Sequence, residues 1–174
     1  MPRAHINAIG TAVPEHEVHR AYVDWALTQI ADRRAAALFR RMADRSGIAH
    51  RWSVLPGTEV FDRGGALLST ADRMAIYAEA APDLAMQAIS GLDCDGVTHL
   101  VVASCTGFVA PGVDQIIARR LGLSPSVERT LVGFMGCYAA VAALRVAHHI
   151  VRSEPAARVL VLGLMGSGKT TVGR

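Results

Sequence analysis

Short aliphatic and β-branched runs alternate along the chain with longer stretches whose apolar positions recur at helical spacing. The strand-like runs are HINAIG (5–10), AHRWSV (49–54), THLVVAS (98–104), VERTLVG (127–133) and RVLVLG (158–163). Helical patterning covers His19 to Asp44, with or without a break, then Ser69 to Leu92, Gly112 to Leu121 and Cys137 to Ser153. Strands alternating with helices predict a layered α/β/α domain around a mostly parallel, mixed sheet. THLVVAS and RVLVLG are continuously apolar, the pattern of central strands covered on both faces.

The segment GCYAAVAALRVAHHIV adds a second expectation. From Cys137 to Leu144 it is apolar around the whole helical circumference, and Arg145 is its first charge. A helix hydrophobic all round is a buried one. The pattern therefore predicts a buried central helix that starts at Cys137.

Composition narrows the class. A chain of 174 residues with 51% hydrophobic and 19% charged residues is globular, one domain or slightly more. The net charge of +3 is mild, and the arginines are scattered apart from Arg33, Arg34, Arg40, Arg41 and Arg45. Aromatic residues, at 5%, are too sparse for a base-stacking platform, which argues against nucleic acid as a partner. Cys94, Cys105 and Cys137 form no CxxC pair and cannot all pair internally, which points to a reducing, cytoplasmic setting. MPRAHINAIGTAVPEHE lacks an apolar signal core, and no apolar run reaches membrane-spanning length, so no membrane partner is expected. No metal site is read from the sequence.

Cys137 is the candidate for covalent chemistry. A cysteine at a helix N-terminus lies beside unpaired backbone N–H groups and the positive end of the helix dipole, and both favour thiolate. Gly136, immediately before it, suits a sharp strand-to-helix turn that presents the sulfur, as in the nucleophile elbow of serine hydrolases. The competing reading is a buried structural cysteine acting as a small apolar residue. Arg41 and Arg45, four residues apart, share a helical face on which two guanidinium groups could clamp an anion. A solvated basic helix face would look the same.

Longer stretches of text decide between these readings. The opening IGTAVP, the segment RRMADRSGI, the loop CTGFVAPGVDQ and the turn GFMGCYAA closely resemble bacterial type III polyketide synthases, the chalcone synthase-like condensing enzymes. The resemblance runs in register from about His5 to Leu162 and implies the N-terminal half of a thiolase-type fold. It implies that Cys137 takes an acyl group from an acyl-CoA starter as a thioester, which malonyl-CoA then extends. It also implies that Arg41 and Arg45 hold the CoA phosphates. A third basic position of that cluster falls on Leu38, with Arg40 beside it. Cys105 and Thr106 fall where the family lines its starter pocket, and Ala110 where a loop residue reaches into the partner's cavity of a homodimer. No cofactor is implied beyond these CoA substrates.

The family's decarboxylation chemistry also needs a histidine and an asparagine from the C-terminal half, and neither is matched in this chain. Oxyanion stabilisation of that kind is often the largest catalytic contribution. His148 and His149 lie eleven and twelve positions beyond Cys137, roughly 16–18 Å along a helix, which is out of hydrogen-bond reach. His5, His16, His19, His50 and His99 match no catalytic position and read as surface or edge histidines. The sequence thus predicts a nucleophile without its condensation machinery.

The terminus carries a different motif. GLMGSGKT, Gly163 to Thr170, fits G-x-x-x-x-G-K-[ST], with Gly168 in the loop, Lys169 reaching phosphates and Thr170 helping to hold Mg²⁺. VLGLMGSGKTTVGR is similar to the opening of shikimate kinase-like enzymes. That likeness sets an expected boundary between residues 1–162 and a P-loop stub, 163–174, introduced by fusion or truncation. Two other functions therefore stand beside acyl transfer: a truncated small-molecule kinase and a non-catalytic dimerising fragment.

Overall fold

The computed structural model describes residues 3–57 and 68–164. These fall into two compact units, one of residues 3–12 and 69–164, the other of residues 13–57 with 68.

The larger unit is built on three parallel strands in the order β4–β3–β5. Helix α3 (Thr70–Ile89) leads into β3 (His99–Ser104), α4 (Val113–Arg120) into β4 (Glu128–Gly133), and α5 (Ala139–Ser153) into β5 (Val159–Leu164). The register runs unbroken from His99 against Glu128 and Val159 to Ser104 against Gly133 and Leu164. Strand β5 therefore continues through Gly163 and Leu164.

Every residue of β3 is buried, and its side chains alternate between two cores. Leu100 and Val102 pack with Leu160, Leu162 and Leu164 against Ala81, Ala85 and Ile89 of α3 and Val113, Ile117 and Ala118 of α4. Val101 and Ala103 pack on the opposite face against Ala139 and Ala143 of α5. The covering faces recur every four residues, with alanines on α5 that let its backbone approach the sheet closely. Each fully buried aliphatic side chain contributes about 1.5–3 kcal/mol. Ser69 starts α3 through a reciprocal capping box with Asp72, and Pro82 is buried inside the same helix.

In the smaller unit, β1 (His16–Glu17) pairs antiparallel with β2 (Trp52–Ser53). The helical stretch from His19 to Asp44 is broken into α1 (His19–Thr28) and α2 (Arg33–Arg45). The break falls where Asp32 caps α2 by accepting the Ala35 N–H at 2.8 Å. The ribbon is tied to α1 by Arg51, whose guanidinium meets His19 Nδ1 at 2.6 Å and lies 4.9 Å from the Tyr22 ring centroid.

Three sequence expectations need correction. HINAIG forms no strand: Ile6 and Ile9 are 74% and 77% exposed, and no described strand offers the segment a ladder partner. Only Trp52 and Ser53 of AHRWSV are extended and paired, and they form a separate antiparallel ribbon with β1; the strands described in the main sheet are parallel. Helix α5 is not buried all round. Ala139, Ala143 and Ala147 are covered, whereas Tyr138, Val141 and Leu144 are about half exposed, because one sheet can cover only one face of a helix.

Candidate active site at the C-terminal ends of β3 and β4

The connection from β3 through α4 reaches β4 on one side, and that from β4 through α5 returns to β5 on the other. Reversing direction with right-handed crossovers places the two helices on opposite faces, which opens a crevice beyond the carboxyl ends of the strands. Both candidate loops leave the sheet at that end.

Strand β4 runs into a tight elbow. Phe134 has φ 57° and Gly136 φ 60°, with Met135 between them at φ −106°, ψ 9°. A left-handed conformation is free for glycine but costs a bulky residue roughly 1–2 kcal/mol, so Phe134 is strained. A 3-10 turn, Gly136–Tyr138, then feeds α5. Cys137 sits in this turn, exposed, two residues before the first residue of α5. No side chain caps the N-terminus of α5. The backbone makes the sharp strand-to-helix turn, and Cys137 is exposed on it.

The loop after β3 approaches from the neighbouring strand. Cys105 is half-buried, while Thr106 and Ala110 are exposed. Ser104, buried at the strand end, lies 2.5 Å from the Tyr77 hydroxyl, and the Phe108 N–H points at Met74 Sδ at 3.2 Å. The rings of Phe108 and Phe134 meet at 5.9 Å between centroids, although both are more than 70% exposed. The two loops thus meet through Phe108 and Phe134 at the end of the sheet from which Cys105, Thr106 and Cys137 follow. Tyr77, Phe108 and Phe134 were not singled out from the sequence. Only Phe134, beside the GxxG of GFMG, carried a local signal in its glycine-flanked turn.

Arg41 and Arg45 lie together on α2, in the smaller unit, both exposed. Leu38 and Met42 on the same helix are 56% and 62% exposed. Arg45, in the last turn, also complements the negative end of the helix dipole. Gly168, Lys169 and Thr170 lie outside the described residues. His148 and His149 are exposed on α5. His99 departs from expectation: it is 5% exposed at the start of the central strand, at the opposite end of the sheet from Cys137. Among the described residues no group of three or more His, Cys, Asp or Glu is arranged to hold a metal ion. Among them, too, no helix is long and apolar enough to cross a membrane.

Fold and elbow together define a class, the α/β proteins that present a cysteine at the turn between a parallel strand and a helix. The comparisons give the family. Residues 2–173 match the family described as "Chalcone and stilbene synthases, N-terminal domain". The chain belongs to that family, the type III polyketide synthases. It is 44% identical over 110 residues to the alpha-pyrone synthesis polyketide synthase-like Pks18 of Mycobacterium tuberculosis, covering 60% of this chain and 28% of that protein. It is 34% identical over 175 residues to bisdemethoxycurcumin synthase of Oryza sativa subsp. japonica, covering 91% of this chain and 43% of that protein. The chain therefore spans less than half the length of these relatives. Among solved structures, a fungal type III polyketide synthase, ORAS, matches with TM-score 0.75 and 24% identity over 91% of this chain and 45% of that one. CsyB complexed with CoA-SH matches with TM-score 0.72 and 24% identity over 89% and 44%. The fold is the thiolase-like α/β fold of these enzymes. The family match includes the glycine-rich terminus up to residue 173, and the kinase likeness of that terminus gains no support from it.

Proposed function

We propose that this chain carries the acyl-loading part of a type III polyketide synthase. The sulfur of Cys137 attacks the thioester carbonyl of an acyl-CoA; its bond to the acyl carbon forms as the bond to the CoA sulfur breaks, and CoA leaves as the thiol. The observation that carries this reading is the strained elbow, Phe134 to Gly136, which holds an exposed Cys137 at the uncapped N-terminus of α5. Backbone N–H groups there favour developing negative charge.

Arg41 and Arg45 hold the phosphates of CoA, and the CoA bound to CsyB supports a CoA-linked donor. Cys105 and Thr106 line the starter pocket, and Ala110 reaches toward a second copy in a homodimer. Extension with malonyl-CoA belongs to the whole protein, with a histidine and an asparagine outside this chain. The cysteine usage supports a reducing, cytoplasmic setting.

The test is incubation of the chain with an acyl-CoA, followed by intact mass and peptide mapping. A single acyl adduct on Cys137, absent from Cys137→Ala, is expected; an adduct that survives in Cys137→Ala sinks the assignment. A non-catalytic dimerising role is favoured by one observation, the exposed apolar face of α5 at Tyr138, Val141 and Leu144. Self-association without any adduct would select it. Stabilisation by ATP with Mg²⁺ would instead revive the kinase reading.

A further inference from the structure

The contact between Tyr77 and Ser104 joins α3 to the end of β3, and acyl transfer as described above makes no use of it. The two residues are 27 apart in the chain. Ser104 is 4% exposed at the tip of the central strand, and its hydroxyl lies 2.5 Å from that of Tyr77. Two residues beyond the half-buried Cys105, Gly107 passes so close to the Tyr77 ring that an added Cβ would overlap its Cζ and hydroxyl oxygen. One residue further, the Phe108 N–H meets Met74 Sδ. Met74 and Tyr77 are three apart on α3 and so share a face. That face holds the loop at Ser104, Gly107 and Phe108, with Cys105 and Thr106 between the anchors. Burial pushes the Tyr77 phenol above its ordinary range, against the lowering effect of its bond to Ser104, so it is a neutral hydroxyl at neutral pH.

We propose that Tyr77 is a positioning residue: through Ser104 and Gly107 it fixes the path of the loop that carries Cys105 and Thr106, and thereby selects among acyl starters. The inference rests on the acyl-transfer reading above. Ring and hydroxyl have separable parts. The ring limits how far Gly107 can sink toward α3, and the hydroxyl ties α3 to the strand end from which the loop departs.

The test uses Tyr77→Phe, which keeps the ring over Gly107 and removes only the hydroxyl. Iodoacetamide labelling, resolved by peptide mapping, follows Cys105 and Cys137 with Cys94 as internal reference, and Cys137 acylation is measured with hexanoyl-CoA and dodecanoyl-CoA. Labelling of Cys105 should rise about five-fold, the effect of one such hydrogen bond on a local opening equilibrium, while Cys94 and Cys137 keep their rates. The ratio of acylation rates for the two starters should shift by a similar factor. Ser104→Ala should reproduce both changes, and the double variant should add nothing to either single. It also serves as the second variant should Tyr77→Phe fail to fold.

A uniform rise at all three thiols with an unchanged starter ratio would reduce Tyr77 to a packing residue and overturn the proposal. Additive effects of Tyr77→Phe and Ser104→Ala would do the same. If the unmodified chain accepts no acyl group, the acyl-transfer reading is what falls. An unchanged Cys105 rate in Tyr77→Phe, whatever the acylation result, overturns the anchoring itself.

Discussion

The two ends of the three-stranded sheet are built from the same strands and do opposite things. At the N-terminal end, most polar groups are paired, the buried His99 Nε2 excepted. The Thr98 N–H donates to the Arg158 carbonyl and the Arg158 N–H to Thr98 Oγ1, both at 2.9 Å, and the Glu128 N–H donates to the Thr98 carbonyl. Arg158 reaches both the carbonyl and the carboxylate of Asp93 at 2.8 Å. His99 is buried there, its Nδ1 2.8 Å from Thr98 Oγ1 and its Nε2 3.6 Å from the carboxylates of Glu128 and Glu154. At the C-terminal end the backbone is strained at Phe134, large apolar side chains are exposed, and Cys137 faces solvent. One end pairs most of its polar groups; the other carries a left-handed Phe134 and exposed apolar side chains. Strand direction explains the division, because parallel strands bring their carboxyl ends, and so their outgoing loops, to one edge.

Substitutions can test whether stability and chemistry are separable in this way. Leu100→Ala, at the fully buried middle of β3, should have the largest effect. A loss of about 2–5 kcal/mol is expected in urea denaturation, enough to unfold a marginal domain. A loss under ~1 kcal/mol would show that β3 is not the centre of the core. Thr98→Val at the N-terminal end removes an acceptor for Arg158 and the partner of the buried His99 Nδ1. It should cost roughly 1–3 kcal/mol while leaving Cys137 acylation at the unmodified rate once the chain is folded.

Gly136→Ala reverses that pattern. An added Cβ at Gly136 meets nothing within 4 Å, so only the left-handed backbone resists it. A cost of roughly 1–2 kcal/mol is expected, together with slower acylation as the turn relaxes and Cys137 moves. Equal acylation in Gly136→Ala and the unmodified chain would mean that the elbow does not position the sulfur.

The smallest expected effect is on pH dependence. The Arg158 guanidinium, with help from the Asp95 N–H, holds the exposed Asp93 carboxyl below the ordinary aspartate range. A lowered value in the folded state means that the contribution is present above the unfolded value and is lost as pH falls through the folded one. Solvent screening keeps it small. Arg158→Met should therefore lower stability slightly near neutrality and leave it unchanged below the folded Asp93 value, which flattens the acid side of the profile. A loss that is largest in acid and vanishes near neutrality would contradict this sign.

Much of this was legible in the chain. THLVVAS, VERTLVG and RVLVLG became β3, β4 and β5 to within a residue or two, and α3, α4 and α5 also lie where the helical spacing put them. Such segments carry their own signal in continuous apolar runs, capping residues and 3.6-residue periodicity. The turn before α5 was legible for the same local reason, since Gly136 beside Cys137 marks the left-handed backbone angle. The four-residue spacing of Arg41 and Arg45 puts both on one face of α2.

What escaped the sequence depends on partners far along the chain. HINAIG has the composition of a strand, but a strand exists only where another offers hydrogen bonds, and none of those described does. GCYAAVAALRVAHHIV is apolar all round, yet burial is a property of what surrounds a helix, and the described sheet covers only its alanine face. His99 was read as an edge histidine because its residue type is commonly exposed, whereas its strand takes the central position between β4 and β5. Tyr77 and Ser104 carry no mutual signal across 27 residues. Local residue chemistry determined the elements and the turn at Cys137; the pairing order of the strands and the packing of α3 decided which neighbours those elements have. Only tertiary contacts between distant segments could make those choices.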